Sequence, residues 1–209
     1  MDVRLKAITP EAEKLIESSG RTCYMSQHRM TDNSHSSFIK KLIKAGHLSV
    51  LEHACATFNL SGVSRALTHQ LVRHRLCSFS QRSQRYVKEE EFAFVTPPSI
   101  DKNKKTKDMY DKSMGMLFDI YSRLLSEGAP PEDARFVLPN ACASTIVFSA
   151  NFRQLRHMIE LRGASKSQWE IRELFIKITK LIKKAAPSCF YDFKIDENKR
   201  IVYKDHQEE

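Results

Sequence analysis

Apolar residues recur along the chain with two periods, which predict a mixture of strands and helices. Strict alternation is typical of a strand with one buried face, and a spacing of three and four residues is typical of an amphipathic helix. The alternating or β-branched segments, which predict strands, are 3–8, 54–60 and 145–148. The segments with helical spacing, bounded by their start and stop signals, are 9–20, 36–46, 63–76, 110–128, 151–161 and 167–187.

Capping and stop signals support the helix boundaries. Pro10 suits the first turn of a helix, and Gly20 predicts the end of that helix. Ser167-x-x-Glu170 forms a capping box that predicts the start of the last helix, which Pro187 ends. The chain has no repeat and no interior linker. The sequence therefore predicts one α+β domain over residues 1–209, rich in helix, with a small sheet packed against several long helices.

Composition narrows the environment and the partners. A chain of 209 residues with 41% hydrophobic and 28% charged residues has an ordinary globular balance. No segment has the apolar length of a membrane span, and the N-terminus lacks a secretory hydrophobic region, so we expect a cytoplasmic protein without a membrane partner. Five scattered cysteines without a Cys-x-x-Cys pair indicate reduced thiols rather than disulfides or a zinc ribbon.

The net charge of +9 favours an anionic partner, either nucleic acid or a phosphorylated small molecule. Two lysine runs, at 102–107 and 177–184, predict solvated faces, and neither contains the interleaved aromatic residues that stack on bases.

The segment 73–86 has the most unusual composition in the chain. It contains five cationic side chains, counting His74 as a potential one, and three serines, but no acidic residue. Clustered like charges repel, so we expect the neutralising charge to come from a bound anion. Arginine forks and serine hydroxyls are the donors that a phosphate prefers. The predicted helix 63–76 would place Arg65, His69 and Arg73 on one stripe, opposite a buried face of Val63, Leu67 and Leu71.

Competing chemistries are less well supported. The chain has six glycines and neither of the glycine-rich nucleotide motifs, so a nucleotide would have to be held by side chains. Cys77 lies among arginines that could activate a thiolate, but a buried structural thiol is the simpler interpretation. His47, His53 and Cys55 match no standard zinc spacing, so no metal site is predicted.

Arg73-His74-Arg75, seven further residues and Ser83, followed by Arg85 and an aromatic residue, form a specific pattern. On this pattern the chain closely resembles the flavin-dependent thymidylate synthases. The other segments that resemble this family are 46–47, 52–53, 64–65, 134–139, 151–153, 161–162 and 168–170. The resemblance implies conversion of dUMP to dTMP, with methylenetetrahydrofolate as one-carbon donor, FAD as hydride carrier and NADPH as reductant. It also implies a homotetramer with active sites shared between subunits.

The resemblance also implies roles for individual residues. Those expected to contact FAD are Ser49, Arg73, His74, Arg75, Gln81, Asn151, Phe152, Arg153 and His157. Those expected to hold dUMP are Gln70, Leu71, Val72, Arg73, Gln81, Arg82, Ser83, Gln84, Arg85, Arg135 and Arg162. Arg162 corresponds to the arginine that favours ionisation of the uracil ring, and it is the expected catalytic residue.

Two positions depart from the pattern of some family members. Gln81 stands where some have Glu, and an amide can hydrogen-bond but cannot take a proton. Ser49 stands where others have Thr, which preserves the hydroxyl. The alternative hypothesis is a basic RNA-binding module without catalysis, which would account for the charge but not for the serine-arginine segment. The family resemblance itself implies no nucleic-acid partner.

Overall fold

The segments predicted to be strands pair in one sheet, which a fourth strand joins. The computed structural model describes residues 1–86 and 93–205. The strands are β1 (Asp2–Ile8), β2 (Cys55–Ser64), β3 (Cys77–Gln81) and β4 (Ala143–Asn151), in the order β1-β2-β4-β3. In β4 every second residue from Ser144 to Ala150 is buried, as alternation predicts for a strand with one buried face. Phe58 and Phe148 stack on this face with ring centroids 5.4 Å apart.

Helices make up most of the remaining described chain. The α-helices are α1 (Ala12–Thr22), α2 (Ser34–Lys44), α3 (Arg65–Leu71), α4 (Pro98–Asp101), α5 (Lys104–Ser126), α6 (Pro131–Ala134), α7 (Phe152–Gly163) and α8 (Trp169–Ala185). Short 3-10 helices span Gln27–Arg29, Ser49–His53 and Arg135–Val137. The predicted α+β class, with a small sheet and long helices, is confirmed. Among the described residues, no helix is both long and apolar enough to cross a membrane.

The described chain divides into two compact units. The first unit contains residues 1–2, 60–70, 80–86 and 93–146, and the second contains 3–59, 71–79 and 147–205. In the first unit α5 buries Met114 and Tyr121, and the side chain of Asn103 caps its start. In the second unit α7 and α8 bury most of their apolar side chains, including Leu155 and Phe175. The extent of a single catalytic domain over the whole chain stays a prediction.

Two predicted boundaries were wrong for local reasons. Helix α1 continues past Gly20 to Thr22, because this glycine serves packing rather than termination. A Cβ atom at Gly20 would lie 2.9 Å from Cε1 of Phe38, so only glycine lets α2 approach this closely. The capping box at Ser167 is also absent. The side chain of Gln168 caps α8 instead, by accepting from the backbone N–H groups of Glu170 and Ile171.

Residues 193–204 form a hairpin that the hydrophobic pattern did not predict. Strand β5 (Phe193–Asp196) pairs antiparallel with β6 (Ile201–Lys204). The hairpin also corrects the prediction of a fully solvated lysine face on α8. Lys183 donates to the backbone carbonyl of Phe193, and partial burial lowers the pKa of its ammonium group.

Candidate functional site

The segment before the cationic cluster is a short helix rather than the predicted helix 63–76. Strand β2 continues through Ser64, and the Ser64 hydroxyl accepts from the backbone N–H of Leu67 at 3.0 Å. This bond caps α3, which ends at Leu71. Arg73 therefore lies in the turn after the helix, and the predicted stripe with Arg65 and His69 was wrong. The Arg73 side chain is exposed, and the residue is not part of the helix that was predicted to contain it.

His74 is the buried member of the cationic cluster. It is 6% exposed, and its backbone N–H donates to the carbonyl of Leu71 at 3.2 Å. Burial, and then the charges of Arg162 and His157, lower the pKa of His74 from 6.5 to about 4. His74 is therefore neutral near pH 7, and it does not contribute the fifth positive charge that the sequence allowed.

His74 and Arg162 form a defined pair within the second unit. Nε of Arg162 donates to Nε2 of His74 at 2.9 Å, which requires a neutral ring that carries its proton on Nδ1. The ring of His157 meets that of His74 edge to face, with centroids 6.2 Å apart. Within residues 1–86 and 93–205, the bond to His74 is the one hydrogen bond made by the Arg162 guanidinium. The pair thus orients a cation whose remaining donors are available to an anionic ligand.

Two clefts in the second unit collect several of the predicted site residues. The larger has a volume of about 520 Å³, and its lining includes Asn151, Arg153 and His157. The smaller has a volume of about 350 Å³ and is lined in part by Arg75 and Asn151. Glu52 lines both clefts. Arg75 and Asn151, which are about 80 positions apart in the sequence, therefore line the same cleft. The two clefts are adjacent, because they share lining residues.

The start of α7 fixes three predicted FAD residues. The side-chain oxygen of Asn151 caps the helix by accepting from the Gln154 N–H at 2.8 Å. Phe152 is fully buried and packs edge to face on Phe190, and its backbone N–H donates to the carbonyl of Ala54 at 2.8 Å. Nη1 of Arg153 lies 2.5 Å from Oε1 of Glu52, and both side chains are about half exposed. The first turn of the helix thus exposes Arg153, whose ion pair with Glu52 is partly screened by water.

The remaining predicted FAD residues of the second unit are solvent-exposed. Ser49 is exposed in the 3-10 helix Ser49–His53, and Arg73 and Arg75 are exposed in the turns before β3. Neither of these two arginines forms an ion pair with an acid in the described part of the chain. No acidic side chain in the described part of the chain therefore compensates the charge of these two arginines, as the composition of the segment predicted.

In the first unit, Gln81 is held by two hydroxyl groups. Its amide nitrogen donates to Oγ1 of Thr68 at 3.1 Å and to Oγ of Ser144 at 3.2 Å. Both bonds use the amide N–H groups, which a carboxylate does not have. The Thr68 hydroxyl already donates to the carbonyl of Arg65, so it accepts from the amide, which gives a local reason for Gln rather than Glu at this position.

Arg82, Ser83 and Arg85 follow β3 in the first unit. Arg82 anchors the segment through its backbone N–H, which donates to the carbonyl of Thr145 at 2.9 Å. The Ser83 hydroxyl accepts from the Arg85 N–H at 3.1 Å and so shapes the turn. The Arg85 guanidinium contacts the carboxylate of Glu132, which corrects the expectation that every cation of the segment awaits a ligand. Glu132 also holds Arg135, whose Nε donates to its backbone carbonyl at 3.0 Å.

The other predicted dUMP residues differ in exposure. Leu71 is fully buried and Gln84 is 8% exposed, whereas Val72 is 41% exposed. Gln70 is half-buried at the end of α3. Leu71 packs in the core of the second unit, and its backbone carbonyl accepts from the N–H of His74. The contacts predicted for all these residues stay predictions.

A covalent role for Cys77 is disfavoured by its surroundings. Its sulfur lies 3.5 Å from Sδ of Met158, and burial raises the pKa of the thiol to about 11. The neighbouring arginines point into solvent and do not stabilise a thiolate, so the thiol is protonated near pH 7. Within the described residues, no group of three or more His, Cys, Asp or Glu side chains is placed to hold a metal ion.

Several lining residues of the larger cleft were missed from sequence. Glu52, Arg156, Glu160 and Lys204 carry charge into this cleft. Arg153, Arg156 and Glu160 lie within two turns of α7, so the helical period around Asn151 could have indicated part of this set. Lys204 gave no such signal, because it lies in a hairpin that the pattern did not predict.

Comparison with known proteins gives concordant results. The family described as "Thymidylate synthase complementing protein" matches residues 4–188. A flavin-dependent thymidylate synthase of Geobacter sulfurreducens is 40% identical over 200 residues, which cover 92% of this chain and 86% of that protein. One of Clostridium tetani is 37% identical and covers 90% and 84%. A crystal structure of Thymidylate Synthase X (ThyX) from Helicobacter pylori with FAD and dUMP has the same fold. Its TM-score is 0.80 at 24% identity, over 92% of this chain and 98% of that one.

Proposed function

Since the chain belongs to the family of flavin-dependent thymidylate synthases, we propose that it methylates dUMP reductively to dTMP. Methylenetetrahydrofolate supplies the one-carbon unit and NADPH the reducing equivalents in this proposal. Bound FAD supplies hydride transfer, which no side chain of the protein can perform. The resemblance also supports a cytoplasmic homotetramer with active sites shared between subunits, a single catalytic domain, and no nucleic-acid or membrane partner.

The convergence of family residues on the clefts of the second unit supports the cofactor assignment. Asn151, Arg153 and His157 line the larger cleft, and Arg75 lines the smaller one beside it. Arg156 is buried in the wall of the larger cleft, and its Nε has no hydrogen-bond partner among the described residues. Cationic side chains around a cleft of this size suit a dinucleotide with a diphosphate group. The donor set thus fits FAD, with Ser49, Arg73, His74 and Gln81 as further predicted contacts.

The His74–Arg162 pair supports the proposed catalytic role of Arg162. A neutral His74 accepts from Nε and so fixes the plane of the guanidinium. A fixed cation near the uracil ring would favour the anionic form of that ring and stabilise charge that develops during reaction. Because the cation is oriented before the substrate binds, little reorganisation is needed.

Substrate phosphate recognition is proposed for the donors that follow β3. Ser83, Arg82 and Arg85 supply a hydroxyl and two guanidinium groups, and Arg135 supplies a third. Arg85 must exchange its contact with Glu132 for one with the ligand, or share its two edges between them. Both side chains of that ion pair are about half exposed, so such exchange costs little free energy.

Flavin content and coupled oxidation test the proposal. Purified protein should show the yellow absorbance of bound flavin, or acquire it with added FAD, and its NADPH oxidation should depend on dUMP. An RNA-binding module would instead shift RNA in a salt-sensitive manner without binding flavin. Absence of FAD binding, together with no dUMP-dependent NADPH oxidation, would refute the enzyme assignment.

A further inference from the structure

The C-terminal hairpin contributes a cation to the larger cleft. Lys204, the last residue of β6, lines this cleft together with Asn151, Arg153 and His157. The residues matched by the family end at 188, so Lys204 lies beyond them and is absent from the predicted site. A lysine at this position therefore needs its own explanation.

Close packing holds the hairpin against α7. A Cβ atom at Gly163 would lie 2.7 Å from Cβ of Val202, so glycine is needed for this approach of helix and strand. Arg156 of α7 forms a two-point ion pair with Asp192, at 2.7 and 2.5 Å, and its guanidinium carbon lies 4.9 Å from the ring centre of Phe193. Lys204 is consequently placed by buried contacts on the helix that also carries Arg153 and His157.

Two of the cations that line the cleft, Arg153 and Lys204, are paired with acids that are about half exposed. Nζ of Lys204 lies 2.5 Å from Oε2 of Glu160, just as Arg153 pairs with Glu52. Glu160 is 54% exposed, so its attraction for the ammonium group is screened by water and worth little. A phosphate in the cleft could bind Arg153 and Lys204 and replace these two acids as their partner.

We infer that Lys204 is a further ligand-binding residue of this protein, whose ammonium group binds phosphate oxygens of the dinucleotide in the larger cleft. The inference rests on the proposed function, which assigns that cleft to FAD. NADPH carries the same diphosphate chemistry, and the two sources are distinguished by the measurements below. In either case Glu160 holds the ammonium group in place until the anion binds.

The test compares Lys204→Met with Lys194→Met in the complete protein. Lys194 lies on the other strand of the same hairpin, pairs with Asp205 and is outside the cleft, so its variant has the same loss of charge. FAD and riboflavin affinity are measured by flavin fluorescence, and the KM for NADPH is measured in the dUMP-dependent reaction. Riboflavin has no phosphate, so it reports any general damage to the cleft.

Lys204→Met should weaken FAD binding about tenfold, as expected for loss of a charge-assisted hydrogen bond, and leave riboflavin binding unchanged. Lys194→Met should change neither, and Lys204→Arg should restore most of the affinity for FAD. Glu160→Gln should tighten FAD binding by about two- to fivefold, because a competing acid is removed. A tenfold rise in the KM for NADPH with unchanged FAD affinity would assign Lys204 to NADPH instead.

Three results would overturn the inference. Unchanged affinity for FAD and unchanged KM for NADPH in Lys204→Met would show that the ammonium group binds neither. Equal weakening of FAD and riboflavin, without rescue by Lys204→Arg, would show a structural role. If the unmodified protein binds no FAD, the proposed function fails and this inference falls with it, whereas normal FAD binding together with an unchanged KM for NADPH in Lys204→Met refutes this inference alone.

Discussion

Replacing His74 by Gln should remove a large part of the acid sensitivity of the fold. His74 is 6% exposed, and it stays neutral because burial and the nearby charges of Arg162 and His157 oppose its protonation. Gln keeps an acceptor for Nε of Arg162 but does not titrate. The variant therefore separates the effect of protonation from the loss of the hydrogen bond.

The sign and size of the effect follow from the lowered pKa of His74, about 4 against 6.5. As the pH falls below 6.5, the unfolded chain binds a proton that the folded chain does not. The stability contributed by neutral His74 is therefore complete above that value and is lost as the pH falls towards about 4. Between about pH 7.5 and about pH 4.5 this loss amounts to about 2.5 kcal/mol.

Urea denaturation across this pH range measures the effect. The unmodified protein should lose about 2.5 kcal/mol more free energy of unfolding than His74→Gln between these two pH values. Arg162→Gln removes the second cause of the lowered pKa and should show an intermediate loss. Parallel pH profiles for the unmodified protein and His74→Gln would refute a buried, neutral His74.

Three further predictions address activity and packing. Arg162→Ala should abolish dTMP formation. It should leave FAD affinity within about threefold, since His74 is the one predicted flavin contact that Arg162 is hydrogen-bonded to in the described chain. Lost FAD binding with retained turnover would contradict the assigned role. Gly163→Ala should lower the free energy of unfolding, measured by urea denaturation, by about 1–3 kcal/mol, because the added methyl group would overlap Val202. Gly115→Ala should raise it by about 0.5–1 kcal/mol, because a methyl group there meets open space in α5. Cys77→Ala should retain dTMP formation, since burial raises the pKa of this thiol to about 11, and a complete loss of turnover in a folded variant would support covalent catalysis.

The fold could be predicted where one period dominates a segment. Residues 145–148 are β-branched and apolar, and α8 has a continuous apolar stripe, so strand β4 and helix α8 were located to within a few residues. The segment 63–76 was harder, because Val63 fits the end of a strand and the start of a helix equally well. The Ser64 side chain, which caps the helix by accepting from the Leu67 N–H, decides between them.

The site could be predicted as a set of residues but not as a set of contacts. Local sequence indicated an excess of cations, and Arg73 and Arg75 are indeed unpaired with acids in the described part of the chain. The neutrality of His74 depends on Arg162, a residue 88 positions away that only folding brings near. The same holds for Glu132, which pairs with Arg85 across 47 positions.

Formation of dTMP tests the central claim most directly. The protein is supplied with FAD, dUMP, methylenetetrahydrofolate and NADPH, and the product nucleotide is separated and quantified. We predict dTMP formation that requires all four components and disappears in Arg162→Ala. Protein that is folded and loaded with FAD, yet forms no dTMP under these conditions, would contradict the proposed function.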